Sequence, residues 1–306
     1  MILTVTLNSA LDVTYRVPRL RPHASHRVSA VTERPGGKGI NVARVLAGLG
    51  HPVTATGFAG GPAGALVREL LARSPGVVDA LVPCADTTRR TVAVVDEASG
   101  DTTQFNEPGP LITPAEWSAF LERYEALLAG ARAVALCGSL PPGVPVGAYA
   151  VLVRAARAAG APVLLDTSGE ALRRGVAARP EMIKPNGAEL AELTGSREPL
   201  PATRDARRRG ARAVVTSLGP DGLLAATGQG SWRAAPPRAL SGNPTGAGDS
   251  AVAGLLSALV EGLDWPERLV RAVALSAATV AAPTAGEFDP RTYEEVRGSV
   301  KVTAVQ

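Results

Sequence analysis

The sequence predicts a three-layer α/β/α domain spanning residues 1–306, with a mostly parallel central sheet and a small β-sheet lid. Short apolar runs typical of strands alternate with longer stretches whose apolar residues recur at helical spacing. Such alternation indicates a parallel sheet that is covered by helices on both faces. Two regions, Val13–Glu33 and Val77–Asn106, have strand patterns without a helix between them. We expect these two regions to form the lid.

The elements follow in chain order. Strands of the central sheet are expected at Ile2–Leu7, Val53–Phe58, Ala133–Cys137, Pro162–Asp166, Met182–Lys184 and Ala213–Ser217. Apolar residues at three- and four-residue spacing predict helices at Pro114–Ala129 and Val146–Ala159, and small-residue helices at Gly248–Glu261 and Pro266–Ala282. Hairpins are expected from Val92–Val95 with Thr102–Phe105, in the lid, and from Gly222–Thr227 with Ser231–Ala235.

Composition excludes several classes of protein. Aromatic residues make up 4% of the chain and are not interleaved with its basic residues, so nucleic-acid binding is not expected. No run of eighteen apolar residues exists that could span a membrane. The N-terminus has the pattern of a strand rather than of a signal peptide. Two cysteines are too few for a disulfide framework, so a cytoplasmic location is the default.

A glycine-rich segment, Gly242–Ser250, precedes the first of the two small-residue helices. Glycines let the backbone approach a ligand, and a helix N-terminus presents free N–H groups and a positive dipole end, which together suit an anion. Asp249 at this position could accept a proton from a hydroxyl group during phosphoryl transfer. The alternative is that Thr245 or Asp249 only caps the helix.

A second glycine-rich segment, Pro35–Ala43, lies between a strand-like stretch and a helix. It fits neither the Walker A spacing nor the dinucleotide fingerprint. Its glycines, among them Gly37, leave room for a ligand, while Lys38 supplies a charge and Asn41 both a donor and an acceptor. The alternative is a turn with a surface lysine.

Two further segments carry weaker signals. Asn186 and Glu189 lie three residues apart at a helix start and could reach a hydrated Mg²⁺, although the same pair fits a capping box. The stretch Thr216–Gly222 ends a strand in a glycine turn that could line a nucleotide pocket or be an ordinary β-turn. In isolation, Asp12 could bind sugar hydroxyls and Arg89 a phosphate, or each could be a surface charge.

The order and spacing of these segments resemble the PfkB (ribokinase-like) carbohydrate kinases from Thr4 to about Gly286. The chain is similar to the hexose-phosphate branch of that family, which contains 1-phosphofructokinases, tagatose-6-phosphate kinases and minor 6-phosphofructokinases. That likeness rests on the following stretches: Thr6–Asp12, Thr88-Arg89, Asn106–Pro110, Gly138–Gly143 and Lys184–Asn186.

The resemblance implies a role for each matching residue. Asp249 would be the catalytic base, beside an anion hole formed by Gly246, Ala247 and Gly248. The sugar would be held by Asp12, Gly37 and Asn41, and its existing phosphate by Lys38, Arg89 and Ser139. ATP would face Lys184, Asn186, Ser217, Gly219 and Gly222. Asn186 and Glu189 would govern Mg²⁺, directly or through water.

The resemblance also implies ATP-dependent phosphorylation of a hexose monophosphate, with fructose 1-phosphate ranked first, and a homodimer formed through the lid. The other hexose phosphates of the branch remain open, as do a kinase for an unphosphorylated sugar or nucleoside and a non-catalytic sugar-phosphate sensor. Relatives often carry an Asn two residues after the lid arginine, where this chain has Thr91. That departure bears on the lid contacts that select the sugar.

Overall fold

The computed structural model describes residues 1–238, 242–282 and 284–306. The strands are β1 (Ile2–Thr6), β2 (Ala10–Val17), β3 (Ala30–Gly36), β4 (Val53–Gly60), β5 (Val77–Asp79), β6 (Val82–Cys84), β7 (Arg89–Asp96), β8 (Thr102–Asn106), β9 (Ala133–Cys137), β10 (Val163–Asp166), β11 (Met182–Ile183), β12 (Ala213–Ser217), β13 (Leu223–Ala226), β14 (Ser231–Ala235) and β15 (Lys301–Ala304). The α-helices are α1 (Lys38–Gly48), α2 (Gly61–Ala72), α3 (Pro114–Leu128), α4 (Ala148–Ala158), α5 (Gly169–Ala177), α6 (Gly187–Thr194), α7 (Pro199–Arg208), α8 (Ala247–Val260), α9 (Trp265–Val280) and α10 (Pro290–Arg297).

The larger sheet runs in the order β15-β14-β13-β12-β11-β10-β9-β1-β4-β5, and β6 also pairs with β4. From β12 through to β5 and β6, neighbouring strands are parallel. The last three pairings, from β12 to β15, are antiparallel. This arrangement confirms the predicted mostly parallel central sheet.

Helices cover both faces of that sheet, as predicted. Successive residues of a strand point to opposite faces, so Ile2 packs into one core cluster and Leu3 into the other. The first cluster includes side chains of α1, α2, α8, α9 and α10, such as Leu46 and Leu255. The second includes side chains of α3 to α7, such as Phe120 and Tyr149. Ligand sites of such folds lie beyond the carboxyl ends of the parallel strands.

The lid is a separate sheet in the order β3-β2-β7-β8. Its central pair, β2 and β7, is parallel, and the outer pairs are antiparallel, including the predicted hairpin of β7 and β8. The second lid segment begins at Arg89 rather than at Val77, which corrects the predicted boundary. Val77–Asp79 and Val82–Cys84 instead pair with β4 and extend the central sheet. A short apolar strand has the same pattern in either sheet, and its pairing partner decides where it belongs.

Candidate active site

A cavity of about 1110 Å³ lies between the lid and the carboxyl edge of the central sheet. Most of the residues predicted to act in catalysis or to bind the sugar, nucleotide or metal line it. They are Asp12, Gly37, Lys38, Asn41, Arg89, Lys184, Asn186, Glu189, Ser217, Gly246, Gly248 and Asp249. Lid and body therefore contribute opposite walls of one site.

Helix α8 begins at this cavity. Gly246 precedes the helix in the left-handed region with φ 85°, and a Cβ there would lie 2.8 Å from the Cβ of Ala285, so only glycine suits the position. The N–H of Ala247 donates to the carbonyl of Pro244. Within the described ranges, no acceptor reaches the N–H groups of Gly248 and Asp249. These two N–H groups, rather than that of Ala247, are open to an anion at the positive end of the helix.

The carboxyl group of Asp249 is buried at the same helix end, with 7% of its residue surface exposed. The side-chain amide of Asn41 donates to its Oδ2 over 2.9 Å. Burial raises the pKa of Asp249 to about 6, against the opposing charge of Lys38. Because Asn41 occupies Oδ2, the other carboxyl oxygen remains able to accept a proton. A buried carboxyl with a pKa near neutrality fits a general base.

Asp166, which the sequence did not single out, lies behind two lysines of the site. Its Oδ1 is 3.4 Å from Nζ of Lys38 and 3.6 Å from Nζ of Lys184. Burial alone would lower the pKa of Lys38, but the carboxylates of Asp166 and Asp249 hold it above its ordinary value. Asp166 therefore keeps a positive charge beside Asp249. Its position at the end of a parallel strand was the one signal that could have revealed it.

On the lid side, the carboxyl group of Asp12 lies directly against Gly36, where a Cβ would be 2.1 Å from its Cγ. Burial raises the pKa of Asp12 to about 6, opposed by the charge of Arg89 and by the nearby hydroxyl group of Thr91. Thr91 faces Asp12 in the register of β2 and β7. Thr91, the residue that departs from the family pattern, thus lies next to Asp12, which is predicted to bind the sugar.

Arg89 spans from the lid to the body. Its Nε donates to the carbonyl of Asn8 over 3.3 Å and its Nη1 to that of Glu107 over 3.5 Å. Both acceptors are neutral, so the guanidinium charge remains available for a phosphate. Ser139 accepts a hydrogen bond from Nδ2 of Asn8 over 3.0 Å but does not line the cavity. The structure therefore brings Arg89, but not Ser139, to the cavity wall.

A second cavity of about 1180 Å³ adjoins the first across α8 and the end of β12. Gly219, Gly222 and Ala247 line it, and Asn186, Ser217 and Gly248 border both cavities. Apolar side chains form much of its wall, including those of Leu223, Val273, Ala277 and Val280. Lys184 was predicted to face a nucleotide, but it lines the first cavity. Its Nζ lies 3.6 Å from where a Cβ would stand on Gly248, so it reaches the boundary between the two cavities.

The predicted metal pair forms a capping box at the start of α6. Oδ1 of Asn186 accepts from the N–H groups of Ala188 and Glu189, each over 2.9 Å. Oε2 of Glu189 accepts from the N–H of Asn186 over 2.8 Å. The sequence offered a capping box as the alternative to a metal site for this pair, and the structure forms that capping box. The cap employs only one carboxylate oxygen of Glu189, whereas the single side-chain oxygen of Asn186 already accepts two hydrogen bonds.

The family follows from comparison with known proteins. The model of the pfkB family carbohydrate kinases matches residues 2–291. The chain belongs to that family. This membership confirms the predicted enzyme class, an ATP-dependent carbohydrate kinase, and the predicted ribokinase-like fold.

Individual relatives share most of the chain. A 1-phosphofructokinase of Rhodobacter capsulatus is 43% identical over 284 residues, which are 90% of each chain. Phosphofructokinase-2 of Escherichia coli, solved in complex with fructose 6-phosphate, is 33% identical with a TM-score of 0.90, over 97% of this chain and 98% of that one. The same protein has been solved in a tetrameric inhibited form. A possible 1-phosphofructokinase of Thermotoga maritima is 28% identical, with a TM-score of 0.89 over the full length of both chains.

Among the residues that the structure describes, no helix is both long and apolar enough to cross a bilayer.

Proposed function

We propose that this protein transfers the γ-phosphate of ATP to fructose 1-phosphate, giving fructose 1,6-bisphosphate, with Asp249 as the general base. The observation that carries the proposal is the geometry at the start of α8. A buried carboxyl group with a free oxygen stands beside two open N–H groups, at the boundary of two cavities. Charge on a moving phosphoryl group and a proton from a hydroxyl group can therefore be received at the same place.

A phosphorylated sugar suits the first cavity because its walls carry fixed positive charge. Arg89 enters from the lid, and Lys38 enters from the start of α1. Charge-assisted hydrogen bonds to phosphate are among the stronger polar contacts. Fructose 1-phosphate ranks first since the relative at 43% identity is named a 1-phosphofructokinase. Fructose 6-phosphate and tagatose 6-phosphate are the alternatives within the same class.

ATP suits the second cavity, whose apolar wall can accept a flat base while its glycine turn at Gly219–Gly222 admits the rest of the nucleotide. Its phosphates would then point along the shared border toward Gly248. Mg²⁺ is usually held by few protein groups together with substrate phosphates and water. The free Oε1 of Glu189 fits that role directly or through water, and the ion would supply neutralising charge to the phosphates.

Catalysis would proceed by direct in-line transfer without a covalent enzyme intermediate. Asp249 accepts the proton of the attacking hydroxyl group on the oxygen that Asn41 leaves free. Lys184, held by Asp166, and the N–H groups of Gly248 and Asp249 stabilise the charge that develops on the phosphoryl group. The lid over the cavity excludes water and so limits unproductive hydrolysis of ATP.

The lid also offers a surface for self-association, and we propose a homodimer formed through it. Val31 and Phe105 lie on the lid strands β3 and β8, and each has more than half of its surface exposed, 58% and 59% respectively. In the strand pairing, Val31 lies opposite Tyr15 and Phe105 lies opposite Val92. Asp12 and Thr91, which line the cavity, are an odd number of residues from Tyr15 and Val92 on the same strands. Because side chains alternate between the two faces of a sheet, Val31 and Phe105 point away from the cavity. Pairing two such faces would bury exposed apolar surface.

The test of the proposed activity is ADP release by the purified protein with ATP and Mg²⁺. The acceptors are fructose 1-phosphate, fructose 6-phosphate, tagatose 6-phosphate, ribose and adenosine. A preference for fructose 1-phosphate supports the proposal. Turnover only with ribose or adenosine would overturn the assignment of the phosphate ligands. Measurable sugar-phosphate binding with no phosphoryl transfer would instead indicate a sensor.

A further inference from the structure

Glu287 joins two arginines that come from different parts of the fold. Its Oε1 lies 2.8 Å from Nη1 of Arg34, in lid strand β3, and 2.7 Å from Nη2 of Arg44, in α1 of the body. One carboxylate oxygen thus bridges the lid and the body at the rim of the first cavity.

The body side of this bridge reaches the candidate anion site. Nη1 of Arg44 donates to the carbonyl of Ala285 over 3.0 Å. Ala285 packs against Gly246, where an added Cβ would lie 2.8 Å from the Cβ of Ala285. Gly286 packs against Asn41 in the same way, since a Cβ on Gly286 would be 3.1 Å from Oδ1 of Asn41. The bridge therefore touches both the turn that starts α8 and the residue that binds Asp249.

The lid side reaches the sugar ligands. Arg34 stands opposite Asp12 in the antiparallel register of β2 and β3, and both residues line the first cavity. A change in the position of Arg34 must be transmitted to its neighbour in this paired sheet. Asp12 and Asp249 lie on the two walls of the cavity. Glu287 reaches Asp12 through Arg34, and it reaches Asp249 through Arg44, the Ala285-Gly286 segment and Asn41.

We propose that Glu287 is a positioning residue that couples the seating of the lid to the geometry of the anion site. The inference rests on the proposed kinase activity and deepens it. With Glu287 in place, the lid strand and the turn before α8 hold a fixed distance across the cavity. Without its charge, Arg34 loses its body partner and Arg44 loses the group that orients it toward Ala285. The alternative is that the ion pairs of Glu287 with Arg34 and Arg44 stabilise the fold but have no effect on the geometry of the anion site.

The matched control is Glu261, a carboxylate in a similar environment at the other end of α8. Its Oε2 lies 2.7 Å from Arg271 and its Oε1 3.3 Å from His51, and its side chain is 40% exposed against 33% for Glu287. Glu261→Gln and Glu287→Gln each remove one half-exposed carboxylate charge, from an arginine and a histidine at Glu261 and from two arginines at Glu287. Only Glu287→Gln does so beside the cavity.

The experiment compares Glu287→Gln, Arg34→Gln, the double variant and Glu261→Gln. We expect Glu287→Gln and Arg34→Gln each to lower kcat by about tenfold, because small displacements of reacting groups reduce rates steeply. The amount of ADP released per bisphosphate formed should rise in both, since water enters beneath a loosely seated lid. The double variant should be no slower than either single variant, whereas Glu261→Gln should keep the wild-type kcat and product ratio.

Hydrogen–deuterium exchange supplies a measurement that does not depend on turnover. In the unliganded protein, Glu287→Gln should speed exchange both in residues 30–36 and in residues 242–249, and Glu261→Gln should leave both segments unchanged. Equal kinetics and exchange for Glu287→Gln and Glu261→Gln would overturn the coupling, as would additive effects in the double variant. Absence of turnover in the wild type would refute the proposed activity, and exchange would still decide the coupling.

Discussion

The side-chain amide of Asn41, in the first turn of α1, donates a hydrogen bond to Oδ2 of Asp249, in the first turn of α8, over 2.9 Å. The two glycine-rich segments of the sequence therefore meet at a single carboxyl group. Each helix brings its positive end to that point, although their starts are more than two hundred residues apart along the chain. The meeting of these two segments makes Asp249 the most direct residue to test.

Replacing Asp249 by Asn should lower kcat by about a hundredfold or more, which is the range of general-base catalysis. The amide keeps the size of the carboxyl group but cannot accept the proton. Binding of ATP, measured by calorimetry, should persist because the second cavity is unchanged. Turnover at the wild-type level in this variant would refute the role of Asp249.

The same variant should be more stable than the wild type at pH 7.5. Folding raises the pKa of Asp249 from 3.8 to about 6, so the folded state disfavours the charged form. The penalty is absent below pH 3.8, grows as the pH rises to 6 and is complete above it. It corresponds to about 3 kcal/mol as an upper bound, and part of it should appear as a raised melting temperature of Asp249→Asn. An equal gain at pH 4 would contradict this origin.

The pH profile of kcat/KM should fall on the acid side near pH 6, where Asp249 and Asp12 take up protons. Thr91→Val removes the hydroxyl group that lowers the pKa of Asp12. The pKa of Asp12 should then rise, and the acid limb should move to higher pH. Thr103→Val, on the outer face of the lid, is the control and should leave the limb in place. If Thr91→Val leaves the acid limb in place, Thr91 does not set the pKa of Asp12, and the prediction is wrong.

Arg89→Ala should raise KM for the hexose phosphate by about tenfold to a hundredfold, the range for a lost hydrogen bond to a charged group. The neighbouring Arg90 is a matched control because it is exposed and pairs with Glu107 over 2.7 Å outside the cavity. Arg90→Ala should therefore change KM by less than about twofold. Unchanged kinetics for Arg89→Ala would favour a substrate without a phosphate.

Phe105→Asp should convert a lid dimer into monomers, since it places a charge on the apolar outer face of the lid. Val151→Asp changes a similarly apolar but distant residue of α4, 39% exposed, and should leave the dimer intact. Sedimentation velocity at micromolar concentration distinguishes the two results. A wild-type protein that sediments only as a monomer would remove the proposed dimer.

Local pattern was sufficient for much of the fold and for the two glycine-rich segments. The alternation of strands and helices predicted the parallel sheet, and the segments around Gly37 and Gly246 line the first cavity, as their predicted ligand-binding roles require. The pairing partners of individual strands could not be predicted from local pattern in the same way. Val77–Cys84 has the pattern of a lid strand, yet its partner is β4. The local stretch Thr216–Gly222 did lie at a pocket, as one of its two interpretations required.

Asp166 and Glu287 were missed for a related physical reason. Each is a single acidic residue without a motif around it, and its importance comes from the cations that the fold brings to it. Lys38 begins α1, Asp166 ends β10 and Lys184 directly follows β11. The two lysines therefore approach Asp166 only when these three elements have packed together. Conversely, Lys184 carried a clear motif, but the motif did not reveal which of two adjoining cavities its Nζ would enter.

The parallel pairing of β2 with β7 also bears on the order in which the protein acquires its activity. Ala10 pairs with Arg89, and the intervening chain contributes α1, β4 and α2 to the body. Closing so long a loop is entropically unfavourable until the body already holds its two ends together. The body, with the second cavity, should therefore form as the nucleus, and the lid should condense onto it in a later kinetic phase. Newly synthesised chains would accordingly become able to bind the nucleotide before they can recognise the sugar.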